Sequence, residues 1–237
     1  MKFNQKLQVA RVESFDLENP DICLISISSD VRIIESLDGK THIKIFADSK
    51  KAVELSEQVE IVESKGNLTI RIDKKNWGWN TTLPLDMKKQ NFWGFSFGGL
   101  HGLSFEIALP KSADLKVKTV SGDIEVVQTL ANIEIGSVSG NVTITQNPSG
   151  NCTVKTVSGN IASQTFSGCE YTLKSISGDI KVSVAPDLNV EVDGNSISGN
   201  LSSEISLDGA NDSSISSSKV VRITTSTISG NFNLARN

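Results

Sequence analysis

The residues that recur in a chemically suggestive pattern are serines followed by glycine and then by aspartate or asparagine. A serine hydroxyl can act as a nucleophile, and a row of carboxylates can hold a hard cation. The serines of the six copies are 18, 19, 19, 21 and 31 residues apart. The copies occupy residues 120–124, 138–142, 157–161, 176–180, 197–201 and 228–232.

Neither chemistry is well supported by the rest of the sequence. A nucleophilic serine needs a base, but the only histidines are His42 and His101, and neither can be assigned to a Ser-His-Asp set. A cation site needs converging carboxylates, whereas the acidic members of the repeat, Asp123 and Asp179, are three copies apart. Zinc-ligand spacings and phosphate-binding loops are absent. We therefore expect no catalytic residue, no metal and no cofactor, and predict that the protein is not an enzyme.

The repeated unit is better explained as a structural corner between two strands. Apolar residues alternate on both sides of Ser-Gly, which predicts strands with one buried face. We expect buried columns six, four and one residue before the serine, the last made by Val120, Val138, Val157 and Ile176. Glycine permits positive φ, and Asp or Asn tolerates turns. The predicted corner residues are Gly122, Gly140, Gly159, Gly178, Gly199 and Gly230, followed by Asp123, Asn141, Asn160, Asp179, Asn200 and Asn231.

A repeat of this length predicts an all-β fold in which coils stack on one another. We expect a single-stranded β-solenoid or β-roll with coils of about 19 residues. The strong preference of parallel crossover connections favours a right-handed coil. Stacking aligns the Asp/Asn residues in one column, where amide side chains form ladders.

The chain as a whole divides into three regions. Residues 1–73 are predicted to form a β-hairpin-rich cap, with turns at Asp38-Gly39 and Lys65-Gly66 and a short helix at 49–57. Residues 74–104 form an aromatic, glycine-rich insertion. Residues 105–237 hold the repeats, with a serine-rich loop at 202–219 that is placed to shield the end of the stack. We expect the three regions to form one continuous structural unit.

The insertion is the best candidate for a binding surface. It contains all three tryptophans of the chain, with lysines on both sides. Aromatic rings beside basic residues suit a membrane interface or a sugar-stacking surface, although they could also pack over an open side of the sheet. The candidate contact residues are Trp77, Trp79, Phe92, Trp93, Phe95 and Phe97.

Composition excludes several classes of protein. A net charge of −4 argues against nucleic-acid binding, which needs a basic face. The three cysteines are too few for a disulfide framework and are expected to be buried small apolar residues. No stretch approaches the length of a transmembrane helix, and residues 1–8 lack the apolar run of a secretory signal, which predicts a cytoplasmic protein.

Residues 105–124, with Phe105-Glu106-Ile107-Ala108-Leu109-Pro110 leading into Val120-Ser121-Gly122-Asp123-Ile124, resemble a known bacterial family. It is the β-strand-repeat domain of unknown function called a "putative adhesin", and the resemblance extends to about residue 201 and more loosely to 228–232. The resemblance implies a right-handed β-solenoid with no catalytic residues. It also implies association with the cell envelope or with envelope-stress systems, in contrast to the cytoplasmic location predicted from the N-terminus.

These observations favour a non-enzymatic interaction scaffold that binds a protein, a lipid or a glycan of the cell envelope. Two alternatives stay open. A carbohydrate-active β-helix enzyme would need carboxylates converging in a groove along one sheet. A self-assembling structural protein would associate through the end of the solenoid, which the sequence places near Phe232 and Leu234.

Overall fold

The computed structural model of this chain describes residues 7–72, 102–146, 148–205 and 220–237. The first of these ranges contains β1 (Gln8–Phe15), β2 (Asp21–Glu35), β3 (Thr41–Ala47), α1 (Lys50–Ser56), β4 (Val59–Ser64) and β5 (Asn67–Ile72). The middle ranges contain β6 (Leu103–Leu109), β7 (Asp114–Ser121), β8 (Ile124–Val126), β9 (Asn132–Ser139), β10 (Val142–Ile144), β11 (Asn151–Thr156), β12 (Ile161–Thr165), β13 (Glu170–Ser175), β14 (Ile180–Val184), β15 (Asn189–Ser196) and β16 (Leu201–Ser203). The last contains β17 (Val220–Thr227) and β18 (Phe232–Arg236).

The strands form two sheets, and each coil contributes one strand to each sheet. The first sheet has the order β4-β5-β2-β7-β9-β11-β13-β17-β15. The second has the order β1-β3-β6-β2-β8-β10-β12-β14-β18-β16. Among the described strands only the pairs β4–β5, β1–β3 and β3–β6 are antiparallel, and β2 runs through both sheets. This arrangement confirms the predicted all-β solenoid.

The core lies between the two sheets and is built from residues stacked in register. Leu115, Ile133, Cys152 and Tyr171 occupy one column, as predicted, and all four are buried. The predicted burial of Val120, Val138, Val157 and Ile176 is wrong, because these side chains are only partly buried. Successive side chains of a strand point to opposite faces. Because the residues six and four before the serine point inward, the residue two before it also points inward and the residue immediately before it points outward.

The solenoid begins earlier than the sequence repeat. The first half of β2 pairs in parallel with β7, and its second half pairs with β8, so β2 supplies the first coil. Asp30 and Val31 align with Asp123 and Ile124, and the chain has Ser29 where later copies have glycine. The N-terminal region is therefore partly solenoid rather than only a cap.

Two of the three predictions for the N-terminal region are confirmed. Strands β4 and β5 form a hairpin whose turn residues Lys65 and Gly66 have φ of 52° and 83°. Helix α1 starts after Ser49, whose hydroxyl accepts a hydrogen bond from the amide of Ala52 at 3.2 Å. The predicted hairpin around Asp38-Gly39 is wrong, because β6 pairs with both β2 and β3 and separates them.

The C-terminal coils stack out of sequence order. Strands β17 and β18 insert between the coil of β13 and β14 and the coil of β15 and β16. The predicted end of the stack near Phe232 and Leu234 is therefore wrong, since these side chains are 3% and 0% exposed. In the described part of the chain the end is formed by β15 and β16, where Ile197 is 77% exposed. Ser202 and Ser203, predicted to lie in a loop, belong to β16, and residues 206–219 of that loop lie outside the described ranges.

Candidate functional site

The Asp/Asn column forms a hydrogen-bonded ladder along the outside of the solenoid. The side chain at each rung accepts a hydrogen bond from the backbone amide of the Asp or Asn in the next coil. Asp30 accepts from Asp123 at 2.9 Å, and Asp179 accepts from Asn231 at 2.8 Å. The complete order is Asp30, Asp123, Asn141, Asn160, Asp179, Asn231 and Asn200, with amide–oxygen distances of 2.8–3.2 Å.

The corners have glycine because the neighbouring coil leaves no room for a side chain. A Cβ atom on Gly159 would lie 1.8 Å from the carbonyl oxygen of Gly140, and one on Gly199 would lie 1.9 Å from that of Gly230. The same contact occurs at each of the six copies. Among these glycines only Gly122 and Gly140 have positive φ, at 124° and 149°. Close approach of the neighbouring coil, rather than the positive φ expected from the sequence, is the common cause.

A buried hydroxyl supports several of the corners, and the sequence analysis missed it. The hydroxyl of Ser175 accepts a hydrogen bond from the amide of Gly178 at 2.8 Å, and that of Thr227 accepts from Gly230 at 2.9 Å. Thr156 donates to the carbonyl of Gly159 at 2.9 Å. The signal was available, since every copy has serine or threonine two residues before the repeated serine: Thr119, Ser137, Thr156, Ser175, Ser196 and Thr227.

The repeated polar residues are therefore engaged in holding coils together. The Asp and Asn oxygens accept backbone amides of the next coil, and the hydroxyls of Ser158, Ser177 and Ser229 donate to carbonyls of the neighbouring coil. In the described part of the chain, no serine of the repeat is paired with a histidine. Asp30 extends the ladder and places a second carboxylate next to Asp123, but a metal site needs more ligands than two adjacent carboxylates. Among the described residues no group of three or more His, Cys, Asp or Glu side chains could hold a metal ion.

One Ser-His-Asp set does form in the structure, although the sequence indicated none. The Oγ atom of Ser14 lies 2.8 Å from Nδ1 of His42, and Nε2 of His42 lies 2.8 Å from Oδ1 of Asp38. Neutral His42 would donate from Nε2 to Asp38 and accept from Ser14. The hydrogen bond from His42, followed by that from the Lys40 amide, lowers the pKa of Asp38 to about 2.

This Ser14–His42–Asp38 set lies on an open surface. The side chains of His42 and Asp38 are 30% and 51% exposed, so water screens the charge that a buried triad would concentrate. The two ring nitrogens of His42 also have the opposite partners to those in a serine hydrolase triad, where the carboxylate contacts Nδ1 and the serine contacts Nε2. We assign the set to joining β1, β3 and the turn between β2 and β3.

The cysteines are free thiols within or near the core. Cys152 is buried, and Cys23 and Cys169 are partly buried. Burial raises the pKa of all three thiols, and it also raises the pKa of the Tyr171 hydroxyl. Such thiols are mainly protonated at neutral pH and are poor nucleophiles, as expected for residues that serve in packing.

The six aromatic candidates lie outside the described residues. Trp77, Trp79, Phe92, Trp93, Phe95 and Phe97 fall within residues 73–101, and their role stays a prediction. No helix in the described ranges has the length and apolar character to cross a membrane.

Comparison with known families identifies the repeat. A model of the Toastrack DUF4097 family matches twice, at residues 21–167 and at residues 131–235. The chain belongs to this family. The first match starts at Asp21, the first residue of β2, in agreement with β2 as the first coil of the solenoid.

Solved structures share the Toastrack fold of this chain at low sequence identity. A "putative cell adhesion protein" from Clostridium sporogenes is 13% identical, with a TM-score of 0.50 over 96% of this chain and 99% of its own. A "putative adhesin" from Bacteroides fragilis is 12% identical, with a TM-score of 0.51 over 99% of this chain and 98% of its own. At this identity the similarity shows the fold alone. A search of curated proteins finds no match.

The outer surface of the first sheet is the described surface of this Toastrack chain with the clearest chemical pattern. Lys118, Lys155 and Lys174 occupy one column, with Gly136 between the first two. Two residues further along each strand is a Val or Ile that faces the same way. This second column consists of Val120, Val138, Val157, Ile176, Ile228 and Ile197. We call the two columns the lysine–aliphatic face.

Proposed function

We propose that this Toastrack protein is a non-enzymatic, adhesin-like scaffold that binds a component of the bacterial cell envelope. The observation that carries the proposal is the use of the repeated polar residues in the corner ladder. Because those groups are bonded between coils, we assign partner binding to other side chains on the outer surfaces of the stack. The structural relatives named as adhesion proteins support the same class of function.

Binding to fractionated envelopes tests this proposal. The purified full chain is incubated with bacterial membranes and, separately, with cell-wall sacculi, and the bound protein is measured after sedimentation. We expect saturable binding to at least one fraction. A heat-unfolded sample provides the control for non-specific adhesion. Failure of the folded protein to bind either fraction above that control would reject the scaffold function.

The aromatic segment is a second part of the same proposal. We assign envelope contact to Trp77, Trp79 and Trp93, supported by their position in the sequence close to two lysine pairs, Lys74-Lys75 and Lys88-Lys89. Replacing all three with alanine is expected to reduce envelope binding. A matched variant with Phe166→Ala, an aromatic residue that is 47% exposed elsewhere on the surface, should bind like the wild type. Equal binding by both variants would remove the aromatic segment from the proposal.

Self-association through the end of the solenoid is a separate candidate. It is favoured by Ile197 and Leu201 on the terminal coil, which are 77% and 49% exposed. The same coil carries acidic side chains and no lysine or arginine between residues 187 and 204, so association should strengthen when salt screens the repulsion. Sedimentation velocity of the wild type and of Ile197→Lys at low and high salt tests this, and identical monomeric profiles would refute it.

A further inference from the structure

We propose that the lysine–aliphatic face binds the headgroup region of a bilayer that contains anionic lipid. The proposal rests on the envelope-binding function above and names its partner. It concerns a surface that lies within the described residues and is independent of the aromatic segment.

The register places the three lysines in a straight line on one surface. Lys155 pairs directly with Lys174 on the neighbouring strand, and Gly136 stands between Lys118 and Lys155. Neighbouring strands are about 4.8 Å apart, so the three ammonium groups start from positions within about 15 Å of one another. Three like charges held this closely repel each other unless a counter-charge is present.

The described carboxylates do not provide that counter-charge. Lys116, two residues before Lys118, forms an ion pair with Glu134 at 2.6 Å. Lys118, Lys155 and Lys174 form no ion pair with any described carboxylate. The three lysines therefore form a column of positive charge that no described carboxylate neutralises, although the net charge of the chain is −4. This local excess is complementary to an anionic partner.

The aliphatic column runs along the whole stack beside these lysines. Every repeat has Val or Ile at this outward position, and the members beside the lysines are partly buried. The exposed fraction rises to 46% at Ile228 and 77% at Ile197, in the two coils that follow Lys174 in the stack. A continuous row of outward β-branched side chains is unusual on a surface exposed only to water. A linear polyanion would need only the lysines, whereas a lipid surface offers phosphates to the lysines and apolar groups to the aliphatic column.

Acidic side chains border the lysine–aliphatic face on two sides and limit the area that can contact anionic lipid. Asp123 and Asp179 lie beyond the corner on the other side of the aliphatic column, and each carboxylate accepts a hydrogen bond from the next rung. Asp114 and Glu170 lie at the opposite end of their strands, four residues before Lys118 and Lys174. The lysines lie between these two acidic margins, so contact with the lipid is centred on the lysine column and the adjacent aliphatic side chains.

Vesicle co-sedimentation of the full chain tests the proposal. The vesicles contain phosphatidylcholine with about one third phosphatidylglycerol, and pure phosphatidylcholine vesicles serve as the neutral comparison. The test variant is Lys118→Gln, Lys155→Gln and Lys174→Gln together. The matched control is Lys51→Gln, Lys65→Gln and Lys181→Gln, which removes the same charge from exposed positions elsewhere. Circular dichroism checks that both variants are folded.

We expect the wild type and the matched control to bind the anionic vesicles and to bind neutral vesicles weakly. The test variant should lose about 100-fold in partition coefficient, since each lysine near an anionic surface contributes about fivefold. Replacing Val157 and Ile176 with threonine, which keeps the branched shape, should weaken binding while leaving its salt dependence unchanged.

Four results would overturn the proposal. The first is equal loss of vesicle binding in the test variant and the matched control. The second is equal wild-type binding to neutral and anionic vesicles. The third is binding to soluble long-chain polyphosphate without binding to vesicles, which would assign the lysines to a linear polyanion. Binding of wild-type protein to sacculi alone would also reject the lipid partner while the envelope-binding function stands.

Discussion

The backbone amide of Asn231 donates a hydrogen bond to Oδ1 of Asp179, a carboxylate 52 residues earlier in the chain, at 2.8 Å. The amide of Asn200 in turn donates to Oδ1 of Asn231 at 3.0 Å. The last coil in the sequence is thus the penultimate coil of the stack. The ladder hydrogen bonds form equally well when the last two coils stack out of sequence order, because every coil offers the same amide and the same side-chain oxygen to its neighbour.

The order of the last coils can be tested by disulfide formation. Thr172 pairs with Thr224 on the adjacent strand, whereas Asp193 lies one strand further away. In a Cys23→Ser and Cys169→Ser background, Thr172→Cys with Thr224→Cys should form a disulfide on oxidation, because adjacent Cα atoms are within bridging distance. Thr172→Cys with Asp193→Cys should not. Mass spectrometry showing the reverse preference would mean that the coils stack in sequence order.

The corner glycines should tolerate no side chain. Gly159→Ala is expected to lower the free energy of unfolding by about 2 kcal/mol or more, because the added Cβ meets the carbonyl of Gly140. Gly194→Ala is the matched control, since its Cβ would lie no closer than 3.2 Å to a neighbouring side chain. Urea denaturation of the two variants provides the measurement. Similar midpoints for both would contradict the close-approach explanation.

The ladder should need an acceptor oxygen rather than a charge. Asp179→Asn keeps an oxygen for the Asn231 amide and should change stability little, whereas Asp179→Leu removes it and should cost about 1 kcal/mol. Hydrogen exchange of the Asn231 amide reports the contact directly, with faster exchange expected only in the leucine variant. Equal protection of this amide in both variants would show that the side chain does not hold it.

The pKa of Asp38 should depend on His42. It is lowered from 3.8 to about 2, first by the hydrogen bond from His42 and then by that from the Lys40 amide. A carboxylate with a lowered folded-state pKa stabilises the fold above pH 3.8, and this contribution is lost as the pH falls through about 2. NMR titration of the Asp38 carboxyl should show a midpoint near 2, which moves upward in His42→Ala. An unchanged midpoint in that variant would remove His42 as the cause, and Ser14→Ala is the control that leaves the Asp38 contact intact.

Much of the coil could be predicted from local sequence. The period, the corner at Ser-Gly and the stacking of Leu115, Ile133, Cys152 and Tyr171 follow from alternation and repeat spacing. The apolar column at Val120 suggests burial, but the alternation of the strand directs the residue immediately before the serine outward. Val120 and its equivalents therefore became a surface feature only when the burial of each side chain was known.

The candidate site was less accessible to sequence reasoning. The alignment of Lys118, Lys155 and Lys174 requires the pairing register, because a glycine interrupts the column at residue 136. The Ser14–His42–Asp38 set was missed because its serine is brought to His42 by pairing between β1 and β3. The aromatic segment, the strongest candidate from the sequence, lies outside the described residues.

The repeating unit of this protein can be read from its sequence alone: a corner with glycine, a ladder residue and two alternating strands, repeated six times. The corner and the alternating strands depend on local sterics within each copy, and the coil length follows from comparing successive copies. The order of the coils is visible only in the folded chain, where β2 is the first coil and β17 and β18 enter the stack before β15 and β16. Coils with matching backbone edges can pair in more than one order, so their order depends on the packing of residues distant in the chain.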